Sequence, residues 1–200
     1  MRKSIIGMLF LLSFLVLLLS QLNCTRQQEE KSMSKEMRIE NGKFLVDLGG
    51  CNHCHSPKVM TANGPIPDST RLLSGSTGAV TSADFDPSIV AKGKWVVARG
   101  DFTAFLGPWG ISYPANLTPD KETGIGSWTE DTFIKIMRSG KHLGEGRPIL
   151  PPMPWQDFGK LSDEQLKDIF AYLQSLKPIN NMVSDPETPD DLTKLMSKKK

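Results

Sequence analysis

The chain has 200 residues, 38% hydrophobic and 23% charged, an ordinary globular composition that excludes disorder as the main state. With 24 basic and 22 acidic residues the formal charge is +2, without the basic excess of a nucleic-acid binder, so nucleic acid is not an expected partner. Three cysteines are too few for a disulfide framework, and two of them, Cys51 and Cys54, stand in one cluster with His53 and His55.

Arg2 and Lys3 followed by the apolar run Ile5 to Leu19 read as the charged and hydrophobic regions of an export signal. The run is shorter than the roughly 18 to 20 residues of a spanning helix, so cleavage is expected ahead of a retained anchor. Cys24 comes just after it and before the polar Thr25, Arg26 and Gln27, a place similar to that of the acylated cysteine in bacterial lipoprotein signals. Gln21 and Asn23 depart from the usual residues of such a signal. The expected organisation is a signal peptide over 1–23, a polar tether over 24–36, a folded domain over 37–180 and a solvated, flexible tail over 181–200. The expected location is the periplasmic side, anchored through a lipidated Cys24.

A first helix is expected near Arg38 to Leu48, with Phe44, Leu45 and Leu48 as its apolar residues and Gly49 and Gly50 ending it. Directly after it Cys51, Asn52, His53, Cys54 and His55 spell C-x-x-C-H, the signature of covalent haem attachment. Two thiols at this spacing can each add to a vinyl group of one porphyrin, and the adjacent histidine is held beneath the iron as a nitrogen ligand. The rival readings are a zinc site and a redox pair. Zinc asks for four ligands, and outside the cluster only His142 and the signal-associated Cys24 remain. A redox pair asks for a strand-helix-strand context that the flanks lack. His53, at the variable position, is expected on the solvent side.

The stretch 56–111 is rich in Gly, Pro, Ser and Thr, with Trp95, Val96 and Val97 as its one compact apolar run. It reads as a long insertion that wraps the haem edge or carries a partner surface, with a short hairpin within it as an option. Lys92, Lys94 and Arg99 are expected to form a solvated charged face, with a docking patch as the alternative. Beyond it a middle helix is expected from Thr129 to Ser139, with acidic Glu130 and Asp131 first and Gly140 as its stop. A last helix opens on the capping box Ser162 and Gln165 and carries Leu166, Ile169, Phe170 and Leu173 at helical spacing.

A six-coordinate electron carrier needs a second axial ligand. Met60 follows His55 too closely to reach the opposite ring face, Met137 has the pattern of a core residue, and Met182 lies in the expected tail. Met153 stands between Pro152 and Pro154, whose fixed φ stiffens a loop that must hold a weak ligand, and it is the expected ligand with His142 as runner-up. Tyr113, Asn116, Trp128 and Trp155 are candidates to donate hydrogen bonds to the haem propionates, each against a bland role in a turn or core. The fold expected from these parts is all-α, a helical domain around one covalent haem.

A helix ending in Gly-Gly before C-x-x-C-H, then a proline-bracketed Met and a closing amphipathic helix, resembles the class I cytochrome c family. The run Asn116, Leu117, Thr118, Pro119, Asp120 through Thr123, Gly124, Ile125, Gly126, Ser127, Trp128 and Thr129 is similar to a segment of the cytochrome c subunits of membrane-bound alcohol and gluconate dehydrogenases. Those subunits commonly carry two or three haem motifs, whereas this chain has one. The resemblance implies an electron-transfer protein rather than an enzyme, exchanging single electrons with a dehydrogenase, an oxidase or another cytochrome. The alternatives are a haem-bearing subunit of a membrane-bound dehydrogenase, a peroxidase-like enzyme with an open iron position, and a gas sensor.

Overall fold

The computed structural model describes residues 33–80 and 95–197. The expected signal, Cys24, most of the tether, and Lys92 and Lys94 lie outside the described residues. Among the described residues no helix is long and apolar enough to cross a membrane.

Helix α1 spans Lys35–Leu48, begun by the Ser34 hydroxyl accepting the Met37 N–H at 3.2 Å. Its inward residues are Gly42 and Val46, one turn apart, because α1 crosses the last long helix at Gly42. Phe44 and Leu48, expected as part of the apolar face, are instead 63% and 72% exposed. Gly49 and Gly50 end the helix, and Gly50, at φ 65, takes the left-handed turn that lets the five-residue helix α2, Cys51–His55, follow at once. Helix α3, Glu130–Ser139, starts where the Thr129 hydroxyl accepts the Thr132 N–H and stops where left-handed Gly140 donates to the Ile136 carbonyl. A short helix α4, Trp155–Phe158, leads to α5, Asp163–Ser175, which opens on the full Ser162–Gln165 capping box.

The all-α expectation is corrected by two small antiparallel sheets, both largely within the 56–111 stretch. Strands β1, Lys58–Thr61, and β2, Gly64–Pro67, pair as a hairpin. Strands β3, Val97–Ala98, β4, Phe105–Gly107, and β5, Gly110–Ser112, form a three-stranded sheet in that order. Strands of two to four residues leave too little alternation to read from sequence. The Trp95–Val97 run is not a core: Trp95 and Val96 are 67% and 53% exposed, and Val97 alone packs inward.

The described residues from Arg38 onward form one compact unit with two cores. The larger is made by Val46 of α1, Phe133, Ile136 and Met137 of α3, and Leu166, Ile169, Phe170 and Leu173 of α5, with Phe133 and Phe170 ring centroids 5.5 Å apart. Burying such side chains stabilises by about 1.5–3 kcal/mol each. The smaller joins the three-stranded sheet, through Leu106 and Ile111, to Tyr113 and Leu192.

Leu192 belongs to helix α6, Pro189–Ser197, and overturns the expectation of a solvated tail. Asn181 donates to the carbonyls of Ser74 and Ser76 at 2.7 and 2.9 Å. Glu187 exchanges backbone hydrogen bonds with Ile111 and accepts from the Tyr113 hydroxyl at 2.9 Å. Residues 179–192 therefore form a strap stitched to the domain through long-range polar contacts, a pairing that local polarity conceals.

Candidate functional site

The C-x-x-C-H segment is a single helical turn, which places Cys51 and Cys54 on the same side of α2. Its end is held firmly. The His55 carbonyl accepts the Gly75 N–H at 2.7 Å, and the fully buried Ser56 hydroxyl accepts the Leu73 N–H at 2.8 Å while donating to the Asn52 side chain at 2.7 Å. Both thiols are free and half-buried. Burial pushes the Cys51 thiol up to about 11 and raises Cys54 as well, so both are protonated at neutral pH.

The His55 ring is oriented by a backbone contact, Nδ1 to the Ala115 carbonyl at 2.8 Å. A carbonyl only accepts, so Nδ1 carries the hydrogen and Nε2 keeps its lone pair for a metal. Burial lowers the pKa of this imidazole, which further favours the neutral, ligating form.

These groups border one cavity, about 1410 Å³ including its open mouth. Its walls are mainly apolar: Val46 from α1, Phe133 and Ile136 from α3, and Ile169 and Leu173 from α5, with Phe105 of β4 closing one side. Met153 lies on this wall too, half-buried in its Pro152–Met153–Pro154 loop. The loop is tied to the sheet by the Ser112 hydroxyl, which donates to the Pro151 carbonyl at 2.6 Å. The other methionines divide as expected: Met137 is in the core, while Met60 and Met182 are each 74% exposed. His142 stands exposed on a 3-10 turn, His142–Gly144, its ring at the cavity mouth and edge-on to Trp128 with centroids 6.0 Å apart. His53 is exposed and borders no part of the cavity.

The residues fit a covalent haem. Two thiols, an imidazole nitrogen and a thioether sulfur converge on a space whose apolar walls match a porphyrin face, and no other donor set among the described residues gathers three or more His, Cys, Asp or Glu side chains as a metal site.

Of the four propionate candidates, three are corrected. The Asn116 amide donates to Thr123 at 3.1 Å and to the Ile179 carbonyl at 2.8 Å while its oxygen holds Thr118, so it braces the Asn116–Thr123 turn and borders no part of the apolar cavity. Tyr113 borders the cavity, but its hydroxyl is occupied, donating to Glu187 and accepting from the Val80 N–H at 3.1 Å. The Trp155 ring lies against Gly140, where a Cβ would come within 2.3 Å of it, and is absent from the cavity wall. Trp128 lies on the wall as well. Arg99 proves to be a knot within the insertion: it donates to Asp101 at 2.9 Å, to the carbonyls of Gly78 and Thr77, and to the Thr103 hydroxyl. The positions that the sequence conceals are the Ala115 carbonyl, which orients His55, and Ser112, which ties down the Met153 loop, since no residue-type pattern announces a backbone acceptor or a bracing hydroxyl.

The cytochrome c family model matches residues 39–177. The chain is 32% identical over 124 residues to the cytochrome c subunit of the quinone alcohol dehydrogenase of Gluconobacter oxydans (strain 621H), covering 54% of this chain and 26% of that protein. It is 30% identical over 130 residues to the gluconate 2-dehydrogenase cytochrome c subunit of Pantoea cypripedii, covering 57% and 29%. It is 28% identical over 168 residues to the fructose dehydrogenase cytochrome subunit of Gluconobacter japonicus, covering 82% and 27%. The chain thus spans less than a third of the length of each of these relatives.

Proposed function

The chain belongs to the cytochrome c family, and from that premise we propose that it relays single electrons between a dehydrogenase and a further redox protein, with His55 and Met153 as the axial pair. Its role is haem-based electron transfer, with one haem c held covalently through Cys51 and Cys54, and it is not itself a catalytic enzyme. When bound, the haem supplies one-electron exchange at its iron. The chain's own residues do the rest. His55 offers Nε2 because Ala115 holds the other ring nitrogen, and the proline-bracketed loop, braced by Ser112, holds the Met153 sulfur towards the same space. A thioether ligand favours the ferrous state and hence a relatively high potential.

The observation that carries this reading is the convergence of Cys51, Cys54, His55 and Met153 on one largely apolar cavity. A dehydrogenase as electron donor is supported by relatives that are cytochrome subunits of alcohol, gluconate and fructose dehydrogenases. Export, and anchoring on the periplasmic side through a lipidated Cys24, belong to the same proposal and are supported by the composition of residues 1–24.

The test is an optical spectrum of the haem-loaded chain, oxidised and reduced, for the wild type and Met153→Ala. The wild type is expected to show a low-spin c-type spectrum with the weak far-red sulfur-to-iron band, and the variant to lose that band. A band that survives in the variant overturns Met153 as the ligand, and a high-spin wild-type spectrum overturns both Met153 and the closed, non-catalytic iron site.

A further inference from the structure

The strap, residues 179–192, lies beyond the family match, which ends at 177, yet it reaches the supports of both axial residues. Those supports are close together in the chain. Within 111–115, Ser112 donates to the Pro151 carbonyl of the Met153 loop, and the Ala115 carbonyl orients His55. One five-residue run thus spaces the two axial side chains, and whatever fixes that run fixes the gap between them.

The run cannot hold itself. It begins in β5, a strand of three residues that pairs within its sheet with β4 alone. The strap supplies the other side: Glu187 exchanges backbone bonds with Ile111 at 2.9 and 3.0 Å and accepts from the Tyr113 hydroxyl. The approach is so close that a Cβ at Gly110, which sits at φ 101, would lie 1.8 Å from the Glu187 carbonyl oxygen. Just beyond, Thr188 and Asp191 cap α6 reciprocally, and Leu192 packs with Leu106, Ile111 and Tyr113. The upstream half of the strap works on the histidine side. Asn181 donates to the carbonyls of Ser74 and Ser76; between them Gly75 donates to the His55 carbonyl, and the Ser76 N–H donates to the Pro114 carbonyl at 2.9 Å, one residue before Ala115.

We propose that the 179–192 strap is a brace that fixes the 111–115 run at both ends and so keeps Met153 on the iron, with Asn181 and Leu192 as its positioning residues. The proposal rests on the reading of His55 and Met153 as the axial pair. His55 directly follows Cys54 and is kept beneath the iron by the covalent bond there, whereas Met153 is held only by its loop, so Met153 is the ligand that a loosened brace releases. A loop already fixed by its anchor pays little ordering entropy when its sulfur binds. A loop whose Ser112 anchor wanders pays it at every binding, and the fraction of molecules with an open iron position rises.

The experiment uses the ferric, haem-loaded chain with imidazole as probe, a neutral ligand that binds where Met153 has left. Apparent imidazole affinity scales with the open fraction, so Asn181→Ala and Leu192→Ala are each expected to tighten it about tenfold. The double variant is expected to do little more than either, because a brace released at one end no longer spaces the run. The far-red band persists at rest in all of them, since such a rise in a small fraction leaves most of the iron ligated. Arg38→Gln is the control: it breaks the ion pairs between α1 and α5 and borders no part of the cavity, so Tm falls while imidazole affinity stays. The brace is overturned if imidazole affinity is unchanged in the double variant, or in the single variants where the double does not mature. It is equally overturned if Arg38→Gln tightens binding as far, or if the two substitutions add in full. Those results leave the electron-carrier reading standing. A wild type that lacks the far-red band, or that binds imidazole as tightly as Met153→Ala, removes Met153 as the ligand and the brace with it.

Discussion

Replacing Gly42 with alanine discriminates between a glycine that is a weak point of α1 and one that the fold requires. A Cβ at position 42 would lie 1.9 Å from the Asp168 carbonyl oxygen and 2.9 Å from the Tyr172 Cβ, so α1 must withdraw from α5 by about 1 Å before the contact becomes tolerable. Overpacking of this kind costs about 1–3 kcal/mol. The same withdrawal stretches the bond from Arg38 Nη1 to Asp168 Oδ1, now 3.1 Å, and weakening a charge-assisted hydrogen bond to a carboxylate that is only 6% exposed adds about 1 kcal/mol. Alanine's better helix propensity returns about 1 kcal/mol. The net loss is therefore about 1–3 kcal/mol, and at roughly 2–4 °C per kcal/mol for a chain of this size Tm falls by several degrees. Thermal unfolding of the haem-loaded chain, followed by far-ultraviolet circular dichroism, measures it. An unchanged or higher Tm is the behaviour of an exposed helical glycine, which alanine stabilises by about 0.5–1 kcal/mol, and would refute the crossing.

Two further outcomes follow from the polar contacts. Asp68 accepts from the Thr70 hydroxyl and N–H at 2.6 and 2.9 Å and from Arg71 at 3.0 Å, and these bonds, those of Thr70 foremost, hold its pKa down to about 2 against a usual 3.8. Its contribution to stability is thus complete above pH 3.8 and lost as pH falls towards 2; stability measured across that window should slope less in Asp68→Asn, and an Asp68 titration midpoint near 3.8 by NMR would contradict the turn. Tyr113→Phe removes the hydroxyl that joins Glu187 to Val80, at a cost of about 1–2 kcal/mol, and should speed limited proteolysis of residues 181–192 while leaving the haem spectrum unchanged. Wild-type proteolysis and Tm in that variant would show that the hydroxyl does not secure the strap.

What was legible in the sequence is what depends on near neighbours. The Ser162–Gln165 capping box and the Gly140 stop each act within four residues, and both are where the pattern puts them, while Thr129, expected inside its helix, caps it from one residue outside. C-x-x-C-H is likewise a property of one helical turn. The interior of α1 was not legible, because the choice of Gly42 and Val46 over Phe44 and Leu48 is made by α5, whose Asp168 carbonyl and Tyr172 approach from over a hundred residues away in the chain. The strap was hidden for a related reason: Asn181 and Glu187 look like solvated polar residues until Ser74, Ser76, Ile111 and Tyr113 are beside them. Asn116 and Tyr113 show the converse, polar side chains suited to a cofactor but consumed by bracing the turn and the strap.

The strap also makes the enclosure depend on both ends of the domain. Pro186 borders the cavity and Glu187 pairs with β5, so one side of the space beside Cys51, Cys54 and His55 is supplied by a segment far downstream in the chain. The wall is complete only when that segment is docked, so its anchoring contacts and the integrity of the cavity are one property rather than two.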